Sequence, residues 1–200
     1  MLPEEDGPAA TLVVGLGNPG KEYVGSRHNL GAEVVGLLAA RHGSPLRKGR
    51  DRALVAEVRV DGRRVVLAFP QTFVNLSGEA VGRLVKRCGL SDDLSRVIVV
   101  HDELDLPAGR VKVKEGGGTA GHNGLESLRA HLHSGGFTRV RIGIGKPPGR
   151  QEGADFVLRR PGKAEQIELD VAVEEAAEAV EMILAEGPSA AMNRYNTTRQ

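Results

Sequence analysis

The chain reads as an α/β protein: a single domain built on a mixed, mostly parallel, twisted sheet flanked by helices. Three observations carry that reading. Short apolar runs of strand length, Leu12–Leu16, Val65–Phe69 and Val97–Val100, each end in a polar loop. Segments whose apolar residues recur at helical spacing alternate with these runs. The pair Asp61-Gly62 sits between two strand-like runs, and Asp-Gly supplies the positive φ of a tight hairpin turn.

Taken in order, Leu12–Leu16 is a buried strand. Leu30–Arg41 is a helix with Leu30, Val34, Leu37 and Leu38 on one face and Gly43 as its stop; Ser26 or Asn29 supplies the cap. Ala53–Val60 and Arg63–Phe69 form the hairpin. The next helix places Ala80, Val81, Leu84, Val85 and Cys88 on one face and ends at Gly89, which makes Cys88 a packing residue rather than a nucleophile.

Val97–Val100 is a central strand that stops at His101-Asp102-Glu103. Arg110–Lys114 is a half-exposed strand and Gly124–His133 a helix. Arg139–Gly145 is a strand with Val140, Ile142 and Ile144 on one face. A long acidic helix, from about Glu165 to Glu186, buries Ile167, Val171, Val180 and Leu184. With no internal repeat and no linker, residues 11–196 form one domain between tails at 1–10 and 197–200.

Two hundred residues suffice for a proper core, and with 3% aromatics and no Trp that core must be aliphatic. The lone Cys88 excludes an internal disulfide and any zinc site built on several cysteines, and it fits a reducing compartment. No apolar run is long enough to cross a bilayer, and the N-terminus lacks the pattern of a signal peptide. The expectation is a soluble, cytoplasmic protein without a membrane partner.

The formal net charge of +1 conceals a partition. Residues 164–186 hold eight acids and no Lys or Arg, so the remaining sequence carries all 27 bases against 18 acids, the 26 less these eight. Charge alone fits equally a basic face for a polyanion and a solvated acidic helix beside ordinary surface cations.

Gly15-Leu16-Gly17-Asn18-Pro19-Gly20 matches the dinucleotide fingerprint and follows a strand. In a nucleotide-binding fold, however, the helix begins inside the glycine motif so that its amides meet the pyrophosphate. Here Pro19-Gly20 and the polar stretch after them delay the helix, which speaks against a nicotinamide or flavin site. Gly116-Gly117-Gly118 is not followed by the Lys-Ser/Thr of a phosphate loop. Successive residues of His101-Asp102-Glu103 point to opposite faces of an extended chain, so no metal site is expected there. No Gly-x-Ser-x-Gly elbow supports a serine hydrolase.

What remains is a histidine, His28 in Ser26-Arg27-His28-Asn29, with a carboxylate, Asp102, and the asparagines Asn18 and Asn75 delivered at three strand ends. An imidazole close to its ordinary pKa of about 6.5 can deprotonate water at neutral pH. A neighbouring aspartate fixes its tautomer and stabilises the imidazolium, and asparagine amides can donate to an oxyanion. The set suits hydrolysis of an activated acyl bond without a covalent intermediate, and it calls for no metal and no cofactor.

At these residues the chain resembles the bacterial peptidyl-tRNA hydrolases. The carriers are VVGLGNPGKEYVGSRHNLGAEVV, PQTFVNLSGEAV, VIVVHDELDLPAGRVKVKEGGG, GHNGL, FTRVRIGIGKP and AAMNRYN, covering most of Leu12 to Asn196 in order. The resemblance implies a monomer that cleaves the ester between a peptide and the 3′-terminal ribose of tRNA. It assigns His28 as general base, Asp102 as its orienting partner and Asn18 as a contact to the acyl group. Tyr23, Phe73, Asn75 and Asn123 would hold the peptide and the tRNA 3′ end, and Lys114 and Arg141 would grip the 5′ phosphate. Val74, Thr119-Ala120 and Glu126 depart from the family's usual residues. An RNA-binding factor on the same fold is the alternative function, and a nucleotide-dependent oxidoreductase, resting on the glycine motif alone, is a third.

Overall fold

Strands β1 (Thr11–Gly15), β2 (Arg47–Lys48), β3 (Ala53–Val60), β4 (Arg63–Pro70), β5 (Val97–Glu103), β6 (Val111–Glu115) and β7 (Thr138–Gly143) make one sheet in the order β2-β3-β4-β1-β5-β7-β6. The computed structural model describes residues 10–197; residues 1–9 and 198–200, the greater part of the two expected tails, lie outside the described residues. Ala10 already packs into the core.

The sheet is mixed. β1 runs parallel to both β4 and β5, and β5 parallel to β7, while β2, β3 and β6 join antiparallel at the edges. Parallel pairing is thus confined to the four central strands and makes up three of the six pairings. Central strands covered on both faces must be apolar throughout, which is why Val13, Val14, Val97, Val99 and Val100 are all fully buried. Each such side chain contributes roughly 1.5–3 kcal/mol of transfer free energy.

Helices α1 (Leu30–Arg41), α4 (Gly153–Leu158), α5 (Lys163–Glu186) and α6 (Pro188–Tyr195) cover one face; α2 (Ser77–Arg87) and α3 (Asn123–Leu132) cover the other. The hairpin forms as expected, with Asp61 and Gly62 at φ 49° and 77° between Val60 and Arg63. Cys88 packs in the core beside Val85 and Leu84.

The glycines of the first loop serve packing. A Cβ on Gly15 would lie 2.0 Å from the Gly31 carbonyl oxygen, and one on Gly31 would lie 2.2 Å from the Val100 carbonyl oxygen. The start of α1 therefore presses directly on β1 and β5. Since α1 begins only at Leu30, its N-terminal amides do not open out of the glycine motif as a dinucleotide site requires.

Several expectations are corrected. β5 continues through His101, Asp102 and Glu103, all buried, so these groups end the strand rather than follow it. Neither Ser26 nor Asn29 caps α1 through its side chain; the Asn29 amide instead bonds the Asn18 backbone on both sides. On α5, Ile167 and Val171 are 67% and 56% exposed, because an alanine-rich face (Ala172, Ala176, Ala177, Ala179) with Leu169 and Val180 takes the core position. Two helices escaped periodicity: α4 is too short to show it, and α6 was signalled only by Pro188 at its first position after Gly187.

Candidate active site

The carboxyl ends of β1, β4, β5 and β7 lie at one pole of the sheet, where the connection after β1 runs to one side of the sheet and that after β5 to the other. Open α/β sheets place their ligand crevices at such a point. A cleft of about 220 Å³ lies here, walled by His28, Asp102, Glu103, His122 and Asn123 and by Gly153, Ala154 and Val157 of α4.

His28 rides on a one-turn 3-10 helix, Arg27–Asn29, that leads into α1. Alternation along β5 sends Val97, Val99, His101 and Glu103 toward α2 and α3, and Asp102 with Ile98 and Val100 toward α1. His28 Nδ1 thereby meets both Asp102 oxygens at 2.9 Å. A ring nitrogen facing a carboxylate carries the proton, so Nδ1–H donates to Asp102 and Nε2 keeps a lone pair for the cleft. Burial lowers the His28 pKa, but the Asp102 charge and its hydrogen bond raise it by more, leaving it above the ordinary 6.5. For Asp102 burial acts upward, yet the two imidazoles and their hydrogen bonds hold it well below the usual carboxylate range.

His122, to which sequence reasoning gave no role, completes this cluster. Its Nε2 lies 3.0 Å from Asp102 Oδ1, and its Nδ1 accepts from the backbone N–H groups of Gly124 and Leu125 at 3.1 and 3.4 Å. It therefore caps α3 through Nδ1 and braces the carboxylate through Nε2–H. The readable signal was an imidazole immediately before a helix start. Behind it, His101 is fully buried, donates Nδ1–H to the Asp102 carbonyl at 2.7 Å, and packs edge-on against His122. Burial, then the nearby His122, pushes the His101 pKa down to about 3.

Among the described residues, the ligand atoms of His28, Asp102 and His122 form the one triplet within 4.8 Å that could hold a metal ion. Spacing along the strand hid this, because the two imidazoles come from other segments. The same atoms make the hydrogen bonds just given, which an ion would replace.

Arg27, the residue before His28, was also missed. Its buried guanidinium donates to both oxygens of Glu165 at 2.7 and 2.6 Å and to the carbonyls of Phe156 and Arg159, and lies 4.0 Å over the Phe156 ring.

Asn123 and the His28–Asp102 pair meet at the cleft. Asn18 does not line that pocket, but it is tied through Asn29 to the His28 turn, and its Oδ1 accepts from the Val74 N–H at 2.8 Å. Tyr23 and Phe73 form an edge-to-face pair at 6.3 Å outside the pocket, with Phe73 53% exposed; Asn75, next along, is exposed. Lys114 and Arg141 lie on neighbouring strands β6 and β7, away from the cleft lining.

A mixed-sheet α/β domain with an imidazole–carboxylate pair in an open cleft fits a hydrolase that works by general-base catalysis. The family model for peptidyl-tRNA hydrolase matches residues 12–200. The peptidyl-tRNA hydrolase of Frankia alni is 52% identical over 98% of this chain and 97% of its own, and that of Cutibacterium acnes 46% identical over 93% and 98%. The crystal structure of peptidyl-tRNA hydrolase from Acinetobacter baumannii superposes with a TM-score of 0.88 at 34% identity, covering 96% of each chain. The chain belongs to the peptidyl-tRNA hydrolase family.

No helix among the described residues is long and apolar enough to cross a membrane.

Proposed function

We propose that this chain hydrolyses the ester linking a peptide to the 3′-terminal ribose of tRNA, with His28 as general base. One observation carries the reading: both Asp102 oxygens hold His28 Nδ1, which leaves Nε2 as the basic atom at the open cleft. Nε2 takes a proton from water as the water oxygen attacks the ester carbonyl. Asp102 stabilises the imidazolium, and amide donors from Asn18 and Asn123 meet the carbonyl oxygen as it gains charge. Collapse of the tetrahedral intermediate breaks the bond to the ribose oxygen, which receives the proton from Nε2. Tyr23, Phe73 and Asn75 would hold the peptide and the 3′ end. Lys114 and Arg141 would take the 5′ phosphate, and the chain would act as a monomer in the cytoplasm.

The test is release of N-acetyl-amino acid from N-acetyl-aminoacyl-tRNA. His28→Ala is expected to reduce turnover by about 10³-fold or more while tRNA affinity is retained. Near-normal turnover in that variant would overturn the base. Wild-type protein that binds tRNA but releases nothing would support the RNA-binding alternative.

A further inference from the structure

Beyond the cleft, positive charge without ion-pair partners gathers where α3 ends over β6 and β7. Lys112 faces Arg141 and Lys114 faces Arg139 in antiparallel register, so all four share the sheet face toward α3. Among the described residues, none of these four nor Arg129 of α3 makes an ion pair. The Nε groups of Arg139 and Arg141 are buried without an acceptor.

Arg139 is the scaffold of this region. It is 2% exposed and donates to the carbonyls of Gly117, Gly118 and Gly135, so its guanidinium pins the glycine loop and the turn after α3 together. Arg129 converges on the same turn from the solvent side: a Cβ on Gly135 would lie 3.4 Å from Arg139 Nη2 and 3.6 Å from Arg129 Cδ. Burial, then the charges of Arg129 and Arg141, lowers the Arg139 pKa, while Glu103 acts in the opposite direction. Arg129 is exposed and borders a groove of about 490 Å³ together with His133, Ser134 and Gly135; Glu126 forms part of its wall and accepts from the Thr119 hydroxyl.

We propose that Arg129 is a further phosphate-binding residue, extending the Lys114–Arg141 pair into a track that holds a second stretch of RNA sugar-phosphate backbone in the groove at the C-terminal end of α3. The proposal rests on the tRNA reading given above. Like charges gathered without ion-paired carboxylates raise the potential of the surface, and a polyanion relieves that repulsion while releasing its own counterions.

The experiment measures the affinity of deacylated tRNA against salt concentration for wild type, Arg129→Gln, Arg129→Lys and Lys114→Ala. It also measures turnover on N-acetyl-aminoacyl-tRNA and on the same ester carried by a CCA trinucleotide. Arg129→Gln should weaken tRNA binding about 3- to 10-fold near 0.1 M salt and lower the log–log salt slope by about 1. Arg129→Lys should keep the slope, and the trinucleotide ester should be cleaved normally by both. Glu126→Gln should tighten tRNA binding. A changed slope for Lys114→Ala with an unchanged slope for Arg129→Gln overturns this inference and leaves the clamp standing. If neither slope moves, the clamp fails as well. Equal loss on the trinucleotide ester would also overturn the track, since that substrate has no backbone to reach the groove.

Discussion

Arg27 and Glu165 stand 138 residues apart in the chain and close a two-point ion pair at 2.7 and 2.6 Å beside His28. The same guanidinium stacks on Phe156 and bonds the Phe156 carbonyl, both in α4, the helix that walls the cleft opposite the imidazole. One buried cation thus joins the turn that carries the base to the wall that faces it. Glu165→Ala leaves that cation without its carboxylate and is expected to cost about 2 kcal/mol, between the values for exposed and fully buried pairs. Denaturant unfolding would read the loss, and hydrogen exchange should quicken over residues 153–158 while the central strands stay protected. Unchanged exchange there would show that Arg27 does not fasten α4.

The His28–Asp102 pair sets the pH dependence. A base must be neutral to act, so kcat/KM should rise with pH through an acid limb whose midpoint lies above 6.5. Asp102→Asn removes the charge that raises the His28 pKa and leaves the burial that lowers it. The acid limb should therefore move below 6.5, and the rate at its plateau should fall by about 10²- to 10⁴-fold as the tautomer is lost. His122→Ala acts in the opposite direction. Stripping one hydrogen bond from the carboxylate leaves it more basic toward His28, so the limb should shift upward, with a smaller rate loss of about 10-fold. Limbs that move together in the two variants would contradict the arrangement.

How much of this was legible beforehand follows from what each residue's neighbours are. The hairpin, α1 and the core face of α2 are local patterns, and Asp61-Gly62 or Leu30–Arg41 could be read residue by residue. His28 and Asp102 were legible as a pair because each belongs to a recognisable block. His122 and Arg27 were not, since the partners that define their roles come from distant segments: Asp102 of β5 for one, and Glu165 of α5 for the other. Ile167 and Val171 misled because bulk was taken as the mark of burial. A face of alanines lets α5 lie close to its neighbours, and it displaced the larger side chains to solvent.

His101 offers a test of stability rather than catalysis. Its folded pKa, about 3, lies below the unfolded 6.5, so the unfolded chain binds the extra proton between those values. Stability from this group is therefore complete above pH 6.5 and is lost as pH falls toward 3. His101→Phe keeps an aromatic ring against His122 and removes the titration. Its stability should fall less steeply with acid, by about one proton across that window, measured by urea unfolding at pH 4 to 7. Equal slopes for the two proteins would mean that the buried ring takes up its proton without penalty.

Asn18 separates a structural role from a chemical one. Its Oδ1 already accepts from the Val74 N–H, which fixes the amide and leaves Nδ2 as its donor. Asn18→Asp preserves the acceptor to Val74 and removes the donor, adding a negative charge near the developing oxyanion. Asn18→Ala removes both. If the side chain serves only to hold the Val74 loop, the aspartate variant should be nearly as active as wild type and the alanine variant worse. If Nδ2 meets the substrate, the aspartate variant should lose about 10²- to 10³-fold in kcat, equal to or worse than alanine, at unchanged melting temperature. The expected order is wild type, then alanine, then aspartate, because the charge opposes the transition state that the amide favours. Steady-state turnover of N-acetyl-aminoacyl-tRNA by the three proteins decides between the two orders.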